Sequence, residues 1–155
     1  MCDSCLLYYL AGVIDGEGTI RITKSLCRPN SPTYKYNIYL QICNTNLDLL
    51  EFISNSFGGY INLVRQETEK HKASYELCFT GRKAQEILLK IKDKCTIKKY
   101  QIELGLLLPM QEPGGGGRRV YSDEDLAFRD AIYEGMKKLN QKGPKELMQE
   151  PQIGK

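Results

Sequence analysis

The chain has 155 residues, of which 41% are hydrophobic, and a net charge of +3. This length is enough for one domain with a buried core. Its longest apolar runs fall short of the roughly 20 residues that a membrane helix needs, and no basic segment precedes the first apolar run, as a signal peptide requires. We therefore expect a soluble globular domain with no membrane partner.

The cysteines argue against a secreted disulfide scaffold. Six of them are spread irregularly along the chain, at Cys2, Cys5, Cys27, Cys43, Cys78 and Cys95. Such spacing predicts an intracellular protein with mostly reduced thiols. Cys2 and Cys5 form a single CxxC pair without a second pair, so no zinc site is predicted.

The first predicted helix ends in an unusual segment, Leu10–Gly18, which reads LAGVIDGEG. Gly12 and Gly16 lie four residues apart, and a helix face without side chains lets a second helix approach closely. Gly16 and Gly18 are expected to end the helix and leave Glu17 at its C-terminal tip. The residues allow two interpretations, either a metal site where two helices meet or a buried helix followed by a solvated glutamate.

Two hairpins and two helices follow. Polar and apolar residues alternate over 19–24 and again over 35–43, with Tyr36, Ile38, Leu40 and Ile42 on one side. Asn46 is a plausible N-cap for a helix that ends at Gly58 and Gly59. Strands are then predicted over 60–66 and 74–80, the second with Tyr75, Leu77 and Phe79 toward the core. A helix over 82–91 places Ala84, Ile87, Leu88 and Ile91 on one stripe.

The last third of the chain is predicted to be helical. One helix runs from about Lys98 to Leu108 and is stopped by Pro109, and another begins after Ser122 with a stripe of Phe128, Ile132, Met136 and Leu139. We divide the chain into a core (1–110), a glycine-rich linker (111–121), a C-terminal helix (122–142) and a loose tail (143–155).

This order of elements predicts an α+β fold, with a four-stranded antiparallel sheet and helices on one of its faces. The opposite face, here called the polar sheet face, would carry side chains that contact bases and phosphates. An antiparallel sheet can also simply face water. The candidate DNA-binding residues are Arg21, Thr23, Ser25, Lys35, Asn37, Tyr39, Gln41, Asn62 and Glu76.

The LAGVIDGEG segment resembles the signature of LAGLIDADG homing endonucleases, and the order of elements from about Leu6 to Pro109 resembles that family's αββαββα core. A single copy of the motif implies a homodimer, with Gly12 and Gly16 at the interface. The implied activity is intron- or intein-associated, site-specific hydrolysis of double-stranded DNA at a long, roughly palindromic target. The implied metal is Mg²⁺, for which Mn²⁺ is expected to substitute.

The resemblance also implies roles for particular residues. Glu17 and the backbone carbonyl of Gly16 would hold the metal, although Asp is commoner than Glu at the position of Glu17. Lys98, at the start of a helix, would support the site, and Asn44, at a strand end, would position water. The alternative interpretation of these two residues is a surface lysine and a turn asparagine at a strand end.

Two other functions fit the same scaffold. One is an RNA-binding intron maturase, and the other is a DNA-binding regulator without catalysis. The retained acid at Glu17 favours the endonuclease. A cluster of lysines, Lys90, Lys92, Lys94, Lys98 and Lys99, is either a solvated helix end or a phosphate-contacting patch. His71 is expected to be solvated in a charged turn.

Overall fold

The computed structural model describes residues 3–30, 33–110 and 121–141. These residues form five helices and four strands. In chain order they are α1 (Asp3–Glu17), β1 (Gly18–Leu26), β2 (Tyr34–Asn44), α2 (Leu47–Phe57), β3 (Tyr60–Arg65), β4 (Ser74–Thr80), α3 (Gly81–Ile91), α4 (Lys99–Leu107) and α5 (Asp123–Asn140).

The strands form one antiparallel sheet in the order β1-β2-β4-β3, which confirms the predicted α+β fold. Alternate strand residues are buried against the helices, among them Ile20, Ile38, Leu40, Ile42, Leu77 and Phe79. The apolar stripe predicted for α3 is buried as well. The helices therefore cover one face of the sheet and leave the other face accessible.

Two predicted helix caps are confirmed. The side chain of Asn46 accepts a hydrogen bond from the backbone N–H of Leu49, and that of Ser122 accepts one from Asp125. Gly58 follows the last residue of α2 with a positive φ of 79°, a conformation that suits glycine. These local signals set the starts of α2 and α5 and the end of α2.

The expectation that the first helix ends at the Gly16 and Gly18 pair is confirmed. Helix α1 ends at Glu17, between the two glycines, and Gly18 opens β1. Glycine is required at position 18 because a Cβ atom there would lie 2.5 Å from the carbonyl oxygen of Ile14. The glycine thus lets the chain turn sharply from α1 into β1, which leaves Glu17 at the helix tip as predicted.

Helix α5 packs against β1 and β2 through polar contacts as well as apolar ones. Lys24 forms an ion pair with Asp130, and its ammonium lies 5.9 Å from the centre of the Tyr133 ring. The hydroxyl of Tyr36 donates a hydrogen bond to the same Asp130 carboxylate, at 2.9 Å. These contacts fix α5 beside the outer end of the first hairpin.

The apolar stripe predicted for α5 is only half correct. Ile132 and Met136 are buried, but Phe128 is 49% exposed and Leu139 is 37% exposed. Arg129 is buried instead. It donates a hydrogen bond to the carbonyl of Pro109, and its guanidinium lies over the Tyr121 ring. These two contacts offset part of the cost of burying the charge, although Nε of Arg129 is buried without a hydrogen-bond partner among the described residues.

The predicted glycine-rich linker and the predicted tail lie almost entirely outside the described residues. Among the described cysteines, Cys27, Cys43, Cys78 and Cys95 are free thiols, whereas Cys5 is disulfide-bonded. None of the described helices is both long and apolar enough to span a membrane.

Candidate metal site and nucleic-acid interface

The Glu17 carboxylate lies at the C-terminal tip of α1 and is exposed. Within the described residues it makes no hydrogen bond or ion pair. The negative charge of Glu17 nevertheless affects a thiol on β2. Burial and then Glu76 raise the pKa of the Cys43 thiol, and Glu17 adds to this shift. The next residue, Gly18, pairs with Ile42, so Glu17 lies beside the end of β2 with its oxygens free to bind a ligand.

The end of α1 suits a cation. The last four carbonyl groups of a helix, here including that of Gly16, have no partner within the helix, and the helix dipole places negative charge at that end. No basic side chain lies in the last turn of α1. Carboxylate and carbonyl oxygens are the ligands that Mg²⁺ prefers, so Gly16 and Glu17 fit the predicted metal.

One chain alone offers few metal ligands. Across the ranges that the structure describes, no three side chains of His, Cys, Asp or Glu come together at one point. Glu17 is a single carboxylate, so further oxygen ligands must come from water, from a phosphate or from a second chain.

Gly12 and Gly16 lie on an exposed face of α1. A Cβ atom built at either position would meet nothing within 4 Å. The fold of the single chain therefore does not require glycine at these positions, although glycine in a helix costs about 1 kcal/mol relative to alanine. The two glycines leave this face of α1 free of side chains, which would allow a second helix to approach closely.

Asp15 has a role that the sequence did not reveal. Its carboxylate accepts hydrogen bonds from the backbone N–H groups of Thr96 at 2.8 Å, Ile97 at 3.1 Å and Lys98 at 3.0 Å. Burial raises the pKa of this carboxyl, but the three hydrogen bonds outweigh burial and hold the pKa below its usual 3.8. Asp15 thus ties the start of α4 to the end of α1.

This tie places Lys98 near the candidate metal site. Lys98 is the N-cap residue of α4, and its backbone is bonded to Asp15, two residues before Glu17. Its side chain is half-buried, and its ammonium has no partner among the described residues. A supporting role for Lys98 remains a prediction, now with a structural reason for its location.

Replacing Asp15 by alanine should lower the free energy of unfolding by about 1–2 kcal/mol at pH 7, because three backbone donors lose their acceptor. The carboxyl has a lower pKa when folded than when unfolded. Its contribution is therefore complete above pH 3.8 and is lost as the pH falls through the lower, folded-state pKa. Chemical denaturation of both proteins at several pH values measures this, with Asp93→Ala at an exposed site as the control. A stability difference that does not shrink in acid would contradict it.

Asn44 ends β2, and its side-chain oxygen accepts a hydrogen bond from the backbone N–H of Asn46 at 2.9 Å. It pairs with Tyr75 of β4, on the core side of the sheet. The contact is that of a turn asparagine at a strand end. Its use in positioning water remains a prediction that no contact of the described residues supports.

The strand register brings the candidate DNA-binding residues together on the polar sheet face. Arg21 lies opposite Tyr39, Thr23 opposite Asn37 and Ser25 opposite Lys35. Farther across the sheet, Asn62 lies opposite Glu76. Residues directly opposite each other in neighbouring strands share a face. All nine candidates therefore belong to one surface, as the alternation predicted.

Two cysteines also lie on this surface, and the alternation over 74–80 predicts this location for Cys78. Cys43 and Cys78 share it because they pair with Glu76 and Gln41, respectively. Cys78 is buried, and the hydrogen bond between Tyr60 and Cys78 contributes most to raising the pKa of Tyr60 to about 12. Neither cysteine was among the candidate DNA-binding residues.

A model of the LAGLIDADG endonuclease family matches residues 10–104. The match includes the motif at the end of α1, all four strands and most of α4. It covers more than half of the chain, and the protein belongs to this family. The predicted resemblance is thereby confirmed.

Solved structures share the fold. The homing endonuclease I-CvuI, in complex with the I-CreI target and 2 mM Mg, is 21% identical with a TM-score of 0.70, over 92% of this chain and 86% of that chain. The archaeal intron-encoded homing endonuclease I-Vdi141I, complexed with DNA, is 19% identical with a TM-score of 0.69, over 92% and 89%. I-SmaMI, bound to cleaved DNA, is 17% identical with a TM-score of 0.61, over 87% of this chain but only 45% of that chain.

A search of curated proteins finds no match.

Proposed function

We propose that the protein is a site-specific homing endonuclease that hydrolyses double-stranded DNA as a homodimer, with a divalent metal ion at Glu17. The observation that carries this proposal is the free Glu17 carboxylate at the tip of a glycine-faced helix, beside one end of the polar sheet face. Family membership supports the reaction class. The open glycine face and the isolated carboxylate support the dimer.

A two-fold axis along paired α1 helices would bring two Glu17 carboxylates close together. Two unit charges about 4 Å apart repel by about 4 kcal/mol at an effective dielectric constant near 20. Divalent cations offset this repulsion. I-SmaMI supports the same assembly, because this chain spans 45% of that chain, as expected if one longer chain carries two such units.

Mg²⁺ fits the oxygen ligands of Gly16 and Glu17, and we expect Mn²⁺ to substitute. When bound, the metal supplies charge that stabilises the departing 3′ oxygen and lowers the pKa of water. Glu17 would hold the metal, Asp15 holds the backbone of Lys98 close to this end of α1, and the sheet would position the DNA. Complexes of I-CvuI with DNA contain Mg or Ca.

The polar sheet face is the proposed DNA-binding surface. Its two-stranded β1–β2 ribbon carries Arg21, Lys35, Asn37 and Gln41 on one side. The major groove admits such a ribbon, and these side chains can donate to base edges and phosphates. We propose a long target with rough two-fold symmetry, since each subunit of a homodimer presents the same surface.

A cleavage selection tests the proposal. A pool of duplexes with randomised sequence is incubated with the purified protein in Mg²⁺, and the cut ends are sequenced. We expect cuts at one recurring sequence in Mg²⁺ and none with a chelator. An absence of cuts, or cuts without sequence preference, would contradict the proposal.

The alternatives of an RNA maturase and an inactive DNA-binding regulator are not favoured, because the acid at position 17 is retained and free. A maturase would bind structured intron RNA more tightly than any duplex of the pool. A regulator would enrich one duplex of the pool by binding it without cutting it. The same preparation distinguishes all three.

Replacing Lys98 by methionine should slow cleavage of the selected target by about a hundredfold, with little change in DNA affinity, because one preorganised charge near the reacting phosphate is lost. Single-turnover cleavage and equilibrium binding measure the two effects. Lys99→Met is the matched control, since Lys99 is the exposed neighbour. If both variants behave alike, Lys98 is an ordinary surface lysine.

A further inference from the structure

The side chain of Arg21 is held in place by two neighbours on the polar sheet face. Its Nε donates a hydrogen bond of 2.5 Å to Oε1 of Gln41. Its guanidinium carbon lies 5.0 Å from the centre of the Tyr39 ring. Arg21 itself is exposed, whereas Gln41 is 8% exposed. An exposed arginine is normally mobile, so contacts to a nearly buried amide and to an aromatic ring restrict its orientation.

This arrangement leaves the outer edge of the guanidinium free. Nε is used by Gln41, and within the described residues Nη1 and Nη2 have no protein partner. A guanidinium presents its remaining donors in a planar fork. Because the orientation is set before DNA arrives, less conformational entropy is lost on binding.

The two free donor groups of the guanidinium determine which base Arg21 can contact. In the major groove, guanine presents two acceptors, N7 and O6, at the spacing of a bidentate arginine contact. Adenine presents one acceptor and one donor, and cytosine presents a donor. Arg21 can therefore donate two hydrogen bonds to guanine, whereas no other base offers two acceptors at this spacing.

The register locates the base that Arg21 would contact. Gly18 turns the chain from the tip of α1 into β1, and Arg21 is three residues farther along that strand. At about 3.3 Å per residue, the distance from the helix tip to Arg21 is about 10–13 Å. DNA rises about 3.4 Å per base pair, so Arg21 would reach a base about three or four pairs from the phosphate at Glu17.

We propose that Arg21 reads a guanine about three or four base pairs from the cleaved phosphate in each half of the target. Gln41 and Tyr39 act as positioning residues that aim the arginine. This inference rests on the proposed function, and it adds a specific base and the residue that recognises it.

The test is a selection from duplexes randomised over one half of the target that the wild-type protein cuts. We expect wild type to prefer guanine over the other bases by about 5- to 150-fold at one position in that interval. Arg21→Ala should abolish the preference at this position and preserve the preferences elsewhere. Glu51→Gln, at an exposed position on α2 outside the polar sheet face, is the control and should leave the guanine preference intact.

Gln41 has its own pair of variants. Gln41→Leu removes the acceptor for Nε at similar volume, and we expect the guanine preference to fall by about three- to tenfold. Gln41→Glu keeps an acceptor and should restore the preference. A purely structural role for Gln41 would change protein stability, measured by thermal unfolding, without this difference in base preference.

Three results would overturn the inference while the proposed function stands. The first is a selected target without guanine in the interval. The second is a guanine preference that persists in Arg21→Ala. The third is an Arg21→Ala variant that binds every sequence equally more weakly, which would identify a phosphate contact. If wild type cuts no DNA at all, the proposed function and the inference fail together.

Discussion

Replacing Glu17 by glutamine should slow DNA cleavage by at least about a thousandfold and change DNA affinity by less than about threefold. The substitution removes the metal-binding charge and leaves the shape of the side chain almost unchanged. A catalytic metal lowers the activation barrier by several kcal/mol, and a loss of about 4 kcal/mol slows the reaction about a thousandfold. Glu17 is exposed and makes no hydrogen bond or ion pair within the described residues, so the fold should be unaffected.

Single-turnover cleavage of the selected target gives the cleavage rate, and binding measured in Ca²⁺ gives the DNA affinity. Glu51→Gln is the matched control, because Glu51 is an exposed carboxylate on α2. We expect the control to cleave like wild type. Cleavage by Glu17→Gln within about threefold of wild type would show that Glu17 is not a metal ligand.

Replacing Gly12 by leucine should abolish dimerisation and slow cleavage by at least about a hundredfold. In a single chain the position is open, since a Cβ there meets nothing within 4 Å, so the leucine does not disturb the subunit itself. It would instead hold a partner helix away, and a displacement of about 1 Å at catalytic groups can cost a hundredfold in rate. Sedimentation at micromolar concentration and cleavage of the selected target measure the two losses.

Two further variants separate the interface from the fold. Gly12→Ala should stabilise the isolated subunit by about 0.5–1 kcal/mol, because alanine favours the helix, while weakening the dimer. Glu134→Leu adds an exposed leucine on α5 and should leave the dimer intact. An unaffected Gly12→Leu dimer, or a wild-type monomer that cuts both strands, would contradict the proposed interface.

Much of the fold was predictable because it depends on local signals. The alternation over 35–43 placed Tyr36, Ile38, Leu40 and Ile42 in the core, as found. Asn46 and Ser122 predicted the starts of α2 and α5, because a side-chain oxygen accepts a hydrogen bond from an N–H group in the first turn of the helix. The family motif supplied the position of Glu17, which spacing alone left open between a metal ligand and a solvated side chain.

The features that were missed depend on contacts distant in sequence. Asp15 binds backbone groups more than 80 residues away, which no local pattern around α1 can indicate. The apolar period of α5 included Phe128, yet Arg129 is the buried residue, and its contacts with Pro109 and Tyr121 come from outside the helix. The bond between Arg21 and Gln41 likewise required the register of β1 against β2.

The position of the cuts tests the central claim most directly. The wild-type protein cuts its selected duplex in Mg²⁺, and both strands are mapped to single-nucleotide resolution with their end groups. Two Glu17 residues related by a two-fold axis predict one cut per strand, placed symmetrically about the centre of the target, with 3′-hydroxyl and 5′-phosphate ends. Cuts in one strand only, cuts placed asymmetrically, or 3′-phosphate ends would contradict a homodimer that acts through paired Glu17 carboxylates.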